Sequence, residues 1–353
     1  MNFHSSGRNP ASSIRLPRRD NLIERVLKTI RNYEMVKPGD RVMAAVSGGP
    51  DSVFLLHALI ALKNKLKLTK VTACHLDHGL RGHDAALDAE FVKRIASAAS
   101  VEYYHGKVGL AGVKSKKLSP EELARETRYA FYGECVRRSG ITTVATGHTL
   151  DDQAETVLMR IVKGASLKGA AGILPVRRGE GVKFIRPMLE IEKAEIIKYL
   201  DGEGIEYCID RTNLENIYFR NVVRNEILPF LAKYNPRIKR SLFNFAGHLR
   251  EDFEFIENHR KAVAPGMICS GKNLEVSIGL KDIVVQPKAL QKEILRDALE
   301  KAGGEVKRLS FRHWKDLESF IRDKRTGDSI DLPGDIRITR TNQSLIFAPR
   351  VKK

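Results

Sequence analysis

The chain has 353 residues, 42% of them hydrophobic, with 61 Lys and Arg against 43 Asp and Glu, for a formal net charge of +18 at pH 7. This length makes room for about two domains, and the apolar content supports ordinary cores, which excludes wholesale disorder. No apolar run approaches the roughly 18 residues that span a bilayer, so no membrane partner is expected; the basic excess points to a polyanion, nucleic acid before an acidic membrane surface, with a merely solvated basic surface as the plainer alternative.

The first twenty residues carry Arg8, Arg15, Arg18 and Arg19 and one acid, Asp20. Their composition is that of an organellar transit peptide, without the apolar core of a secretory signal. A short disordered basic tail over 1–20 is the preferred expectation. Apolar spacing then predicts a helix from Asn21 to Tyr33, a strand from Val42 to Val46 and a helix from Ser52 to Asn64. Next come a strand from Lys70 to Leu76, a helix from Asp84 to Ala99 and a strand from Val101 to Lys107. A helix from Pro120 to Ser139 and a strand from Thr142 to Ala145 follow. Strands alternating with helices argue for an α/β fold, a parallel sheet covered on both faces. Its ligands would lie beyond the carboxyl ends of the strands. After about residue 215 the pattern turns helical: Asn221 to Tyr234, Arg237 to His259, Pro287 to Ala302 and Ser310 to Asp323. A strand near Leu274 to Ile278 and a hairpin built from Ile336 to Thr341 and Ser344 to Phe347 complete it. The expected organisation is a nucleotide-binding domain over 21–215 and a smaller, mainly helical domain over 216–353. Cys74, Cys135, Cys208 and Cys269 are scattered and form no C-x-x-C pair. A disulfide framework or a paired-cysteine metal site is therefore not expected, and a reducing cytosol fits.

Ser47-Gly48-Gly49-Pro50-Asp51-Ser52 stands between the first buried strand and an apolar helix. Glycines let a ligand approach the backbone, and a proline in a first helical turn sacrifices no hydrogen bond. The helix start offers unpaired N–H groups and the positive end of a dipole, an anion cradle. Ser47 and Ser52 add hydroxyl donors. Asp51 would repel a phosphate unless a cation lay between them, which suggests Mg²⁺. The G-x-x-x-x-G-K-[ST] phosphate loop is absent. The ordered set instead resembles the pyrophosphate loop of the N-type ATP pyrophosphatases, which split ATP into AMP and pyrophosphate to activate an oxygen as an adenylate.

Three further constellations follow strands or open helices. His75-Leu-Asp77-His78-Gly-Leu-Arg81 reads as metal ligands, a nucleotide site or a plain polar strand end. Gly147-His148-Thr-Leu-Asp151-Asp152-Gln-Ala-Glu155 crowds acids into a helix start. Simple capping explains that, and so does a negative pocket for an ammonium group or Mg²⁺, because Asp152 and Glu155 share a helix face. Arg125 and Arg128 share another face, suited to phosphate or to solvent. Lys163 to Gly172 is a small basic loop. Asp210 to Arg224, with Arg220 and Arg224, offers a phosphate grip or a junction salt-bridge network.

Together these motifs resemble those of the tRNA(Ile)-lysidine synthetase family, in the family's order: Ser47 to Ser52, His75 to Arg81, Ala124 to Tyr129, Gly147 to Glu155, Gly164 to Gly172, Arg186 to Leu189 and Asp210 to Arg224. The match is weaker in the second domain, through Pro287 to Leu299 and Leu332 to Gly334. The resemblance implies an adenine nucleotide alpha hydrolase-like fold and a cytoplasmic ligase that consumes ATP with Mg²⁺. It would adenylate C2 of the wobble cytidine in a CAU anticodon and then attach free L-lysine, turning a methionine codon reader into an isoleucine one. By this carry-over, Ser47, Asp51 and Ser52 are catalytic and Asp51 is the metal ligand. Ser47, Gly48, Gly49, Pro50, Asp51, Ser52, His75, Asp77, Arg81, Gly147 and His148 bind ATP. Asp152 and Glu155 bind lysine, and Arg125, Arg128, Arg220 and Arg224 bind the isoleucine tRNA. A homodimer is left open. Longer family members carry a further C-terminal domain, which this chain is expected to lack. The rivals are a tRNA 2-thiolation enzyme with the same loop and a noncatalytic RNA-binding module.

Overall fold

The computed structural model describes residues 3–4, 21–77, 83–109, 120–179, 181–208 and 219–350. Arg81, the tail over 5–20 and the stretch from Asp210 to Tyr218 lie outside the described residues. Contacts divide the chain into two compact units, Met1–Gly247 and His248–Lys353.

In chain order the first unit holds β1 (Phe3–His4), α1 (Asn21–Asn32), β2 (Arg41–Ala45), α2 (Pro50–Leu62), β3 (Lys70–Asp77), α3 (His83–Ala98) and β4 (Glu102–Lys107). It continues with α4 (Pro120–Ser139), β5 (Thr143–Ala145), α5 (Leu150–Val162), α6 (Leu167–Ala170), β6 (Val176–Gly179) and β7 (Val182–Ile185). Then come α7 (Lys193–Glu203), β8 (Tyr207–Cys208), α8 (Phe219–Val222), a π-helical turn over Val223–Ile227, α9 (Leu228–Ala232) and the start of α10 (Ile238–Met267).

Six strands form one sheet in the order β4-β3-β2-β5-β7-β6. All neighbours are parallel except the edge pair β6–β7. Burial explains why β2 sits near the middle. Val42, Ala44 and Val46 enter a core with α1, α2, α3 and α7 on one face. Met43 enters a second core with Phe131, Tyr132 and Cys135 of α4 on the other. Successive side chains of a strand point to opposite faces, so a strand clad on both sides reads as continuously apolar. Helix α2 is apolar nearly all round for the same reason: Val53, Phe54, Leu55, Leu56, Ala58, Leu59 and Leu62 are buried. The chain runs outward from β2 to β4, then returns to the other side of β2 with β5. That reversal between β2 and β5 is where such sheets bind ligands.

In the second unit, β9 (Ile268–Ser270), β10 (Val276–Gly279), β11 (Ser329–Leu332), β12 (Ile336–Arg340) and β13 (Ser344–Pro349) form an antiparallel sheet in the order β11-β12-β13-β10-β9. The expected C-terminal hairpin is β12–β13, and it is the centre of this larger sheet. Ile278, Ile338, Leu345 and Phe347 pack with α11 (Lys288–Lys301) and α12 (Phe311–Asp323) through Ile294, Leu295, Trp314, Leu317 and Phe320. No helix among the described residues is long and apolar enough to cross a membrane.

Candidate active site

A crevice of ≈ 730 Å³ opens at the carboxyl ends of β2, β3 and β5, and all of its lining comes from the first unit. The loop after β2 forms one wall. Gly48 has φ +93°, a conformation that side chains rarely adopt. Gly49 caps α2 in extended backbone, with Pro50 in the first turn. The serines brace the loop. The Ser52 hydroxyl donates to the Gly49 carbonyl at 2.8 Å and accepts from the Ser47 amide at 3.1 Å and the Ser47 hydroxyl at 3.2 Å. Ser52, an expected phosphate donor, uses its proton within the turn, which leaves the loop backbone and the helix start as the candidate anion cradle. The Cys208 amide donates to the Gly48 carbonyl at 2.9 Å, fixing the loop from behind. Gly147, after β5, approaches so closely that a Cβ there would lie 3.3 Å from the Asp51 carbonyl group and the Ser52 nitrogen.

Asp51 lines the crevice beside Lys193, whose Nζ is 3.5 Å from Oδ2. Burial raises its carboxyl to about 6; Lys193 opposes the rise, and Asp152 and Asp151 add to it. Its Oδ1 is buried without a hydrogen-bond partner. A buried carboxylate oxygen without a partner, in the first turn of the helix that follows the glycine loop, has the chemistry of a Mg²⁺ ligand. That ion takes one or two carboxylates and fills its shell with phosphate oxygens and water.

His75 is 5% exposed; its Nδ1 lies 2.8 Å from the Val46 carbonyl, and its ring stacks on His105. Burial, the largest influence, lowers its pKa. Asp77 is buried at the strand end, 3.8 Å from Lys107. Both line the crevice. Among the described residues no cluster of three His, Cys, Asp or Glu side chains has the form of a metal site.

Across the crevice, Asp152 closes a capping box on α5, accepting from the Thr149 amide and hydroxyl at 2.9 Å. It also receives Arg220 at 2.7 Å. Glu155, 1% exposed, receives Arg220 Nε at 2.7 Å and Arg224 Nε at 2.6 Å. The two plainer sequence expectations, capping and a salt-bridge network, are thus both realised, and they are the same network. The acids expected to meet an ammonium group hold the chain's own guanidiniums. Asp152 and Arg220 line the crevice, whereas Glu155 sits behind them. Burial tends to raise the Asp152 carboxyl, but Arg220, His148 and the Thr149 bonds outweigh it and hold it below its usual range. His148 bonds Thr146 through Nδ1 at 2.9 Å. Burial, against the pull of Asp152 and with help from Arg186, Arg220 and Arg125, lowers it to about 4.

The chain matches the PP-loop domain family over residues 19–231. It is 32% identical over 328 residues to the tRNA(Ile)-lysidine synthase of Clostridioides difficile, covering 92% of this chain and 70% of that protein. It is 34% identical over 343 residues to the tRNA(Ile)-lysidine synthase of Geobacter sulfurreducens, covering 93% and 70%. The chain belongs to the tRNA(Ile)-lysidine synthase family. A solved structure of a U34-tRNA thiolase from Methanococcus maripaludis matches with a TM-score of 0.55 at 20% identity, over 65% of this chain and 79% of that one, a likeness of fold.

In this lysidine synthase family member the crevice gathers most of the residues singled out from sequence: Ser47, Gly49, Pro50, Asp51, Ser52, His75, Asp77, Arg125, Arg128, Gly147, His148, Asp152 and Arg220. Gly48 makes the turn of the loop without itself lining the crevice, and Arg224 stands with Glu155 behind the lining. Sequence reasoning missed Lys193 and Tyr129. Lys193 opens α7, a helix that carries readable signals: a Glu192/Glu195 capping box, buried Ile196, Tyr199 and Leu200, and Gly204 as a left-handed C-cap. Tyr129 holds two arginines against its ring, Arg125 at 5.1 Å and Arg177 at 4.9 Å. Nothing local in the sequence announces that stack.

Proposed function

We propose that this chain adenylates the C2 oxygen of the wobble cytidine in the CAU anticodon of an isoleucine tRNA and replaces the adenylate with free L-lysine in the cytoplasm. The observation that carries the reading is the juxtaposition, in one crevice, of an ATP-type phosphate loop and Asp152, a carboxylate already engaged with Arg220 and backed by Glu155 behind the lining. In the first step the C2 oxygen attacks the α-phosphorus, the bond to the β-phosphate breaks and pyrophosphate leaves. In the second, the lysine ε-nitrogen attacks C2, loses a proton, and AMP departs with the oxygen. The codon read changes from AUG to AUA.

The loop from Ser47 to Ser52 positions the phosphates, with the backbone as donor and the two hydroxyls keeping its shape. Asp51 would hold Mg²⁺, which neutralises charge on the departing pyrophosphate. His75, Asp77, Arg81, Gly147 and His148 surround the nucleotide. Asp152 receives the lysine ammonium in exchange for Arg220. Glu155 steers the exchange through Arg220 and Arg224, and those arginines, with Arg125 and Arg128, turn to RNA phosphates. Such a site works by holding partners in line and stabilising developing charge. The chain beyond residue 216 contributes to holding the RNA. The test is a two-stage reaction with α-phosphate-labelled ATP and a CAU-anticodon isoleucine tRNA transcript. Without lysine, label should accumulate on the RNA; adding lysine should release it as AMP, and Asp51→Ala should abolish both. Labelling that ignores the wobble cytidine would contradict the reading.

A further inference from the structure

Beyond the crevice, residues 219–240 carry six basic side chains, Arg220, Arg224, Lys233, Arg237, Lys239 and Arg240, against one acid, Glu226. Four of the six are neutralised within the fold. Arg220 and Arg224 are held by Asp152 and Glu155, Lys239 by Asp151 at 2.6 Å and Arg240 by Glu190 at 3.3 Å. Lys233 and Arg237 have no carboxylate partner among the described residues, and both are exposed. They flank two large aromatic side chains left in solvent, Phe230 at 53% and Tyr234 at 77% exposure.

The two rings lie four residues apart at the end of α9, with centroids 5.4 Å apart and planes inclined by 63°. Lys233 Nζ stands 6.0 Å from the Phe230 centroid. The edge-on arrangement means that the two rings are not stacked face to face on each other. Two unburied aromatic rings beside two unneutralised cations suit an anionic partner that offers flat apolar faces, and the charge disfavours a basic one. Unpaired nucleobases have the matching chemistry, a π-face for each ring and phosphates for the cations.

We infer that Phe230 and Tyr234 form a stacking platform for unpaired bases of the RNA substrate, with Lys233 and Arg237 gripping the adjoining phosphates. The inference rests on an RNA substrate, as proposed above, and adds the residues that hold its single-stranded part. Because stacking follows the π-face, it tolerates sequence, so the platform supplies affinity and orientation while base identity is read elsewhere.

The experiment measures binding of the full chain to a fluorescent CAU anticodon stem–loop by anisotropy, over a series of salt concentrations. The comparison RNA has the same stem closed by a compact tetraloop. Phe230→Leu and Tyr234→Leu should each weaken stem–loop binding roughly tenfold and leave the salt slope and the tetraloop affinity unchanged. Tyr234→Phe should bind as the parent does. Lys233→Gln with Arg237→Gln should flatten the salt slope by about one for each charge. An unchanged ATP-analogue affinity in every variant shows that the fold persists. Leucine variants that bind the stem–loop as tightly as the parent, or that lose the tetraloop equally, would overturn the platform. Stem–loop binding that does not depend on the rings, alongside normal lysine attachment by the parent, sinks this inference alone; ring-dependent binding without lysine attachment sinks the proposed function alone.

Discussion

Asp51→Asn should make the protein more stable and inactive. The folded chain holds this carboxyl at about 6, against 3.8 for the free side chain, chiefly because it is buried. Well below pH 3.8 the group is protonated in both states and has no effect. As pH rises toward 6 the unfolded chain ionises first, so folding loses stability, and above 6 the whole deficit persists. At about 1.4 kcal/mol per pH unit, a rise of this size corresponds to about 3 kcal/mol at neutral pH. Asparagine mimics the protonated carboxyl and escapes the deficit. For a unit of this size, roughly 2–4 °C per kcal/mol places the D51N melting temperature roughly 6–12 °C above the parent at pH 7.5. The gain should shrink to a small fraction near pH 4 and vanish only well below 3.8. Scanning calorimetry of the full chain in a chelator, without nucleotide, reads this directly. A variant that melts at or below the parent temperature at pH 7.5, or a gain that stays constant down to pH 4, would refute the reasoning. Adenylation by the same variant should vanish, because the neutral amide lacks the carboxylate charge that suits Mg²⁺.

Glu155→Gln leaves two guanidiniums without their carboxylate. Breaking a buried pair costs about 3–5 kcal/mol, but Arg220 and Arg224 are 37% and 30% exposed and regain water, so about 2 kcal/mol and a melting drop of roughly 4–8 °C are expected. A double-mutant cycle with Arg224→Met should show coupling; strict additivity would contradict the network. Gly147→Ala pushes a methyl against the Asp51 backbone. It should weaken binding of a non-hydrolysable ATP analogue roughly tenfold with little change in melting temperature, as checked by titration calorimetry; equal affinity would show that the close approach is immaterial. His148 should titrate near pH 4 by NMR, so it is neutral throughout the working range. A midpoint above 6 would mean that its surroundings differ from those described.

The sequence announces what local chemistry dictates. Val42 to Val46, the glycine turn and the apolar helix after Ser52 are legible because burial on both faces leaves no room for polar residues, and because Gly48 stands where φ is positive. The β6–β7 hairpin was not foreseen. Val176-Arg-Arg-Gly179 is a short polar edge strand, and its pairing with Val182 to Ile185 is a matter of register that local propensity does not encode. The helix expected from Asn221 to Tyr234 is interrupted by the π turn at Val223–Ile227. That turn carries Arg224 and follows α8, which carries Arg220; these are the residues that reach back to Asp152 and Glu155. Those partners lie more than 60 residues away in sequence, so helix capping and a cation pocket look alike until the fold brings the arginines in. Lys193 escaped for a different reason: the signals of its helix were present and went unread.

The central claim is that one crevice joins lysine to an RNA base at the expense of ATP. Mass spectrometry of nucleosides from a CAU-anticodon isoleucine tRNA, incubated with the chain, ATP, Mg²⁺ and isotopically labelled lysine, tests it most directly. The account predicts labelled lysine on the wobble cytidine alone, with AMP and pyrophosphate formed in equal amount and no product from Asp51→Ala. Unmodified cytidine, or a sulfur-containing wobble base in its place, would contradict it.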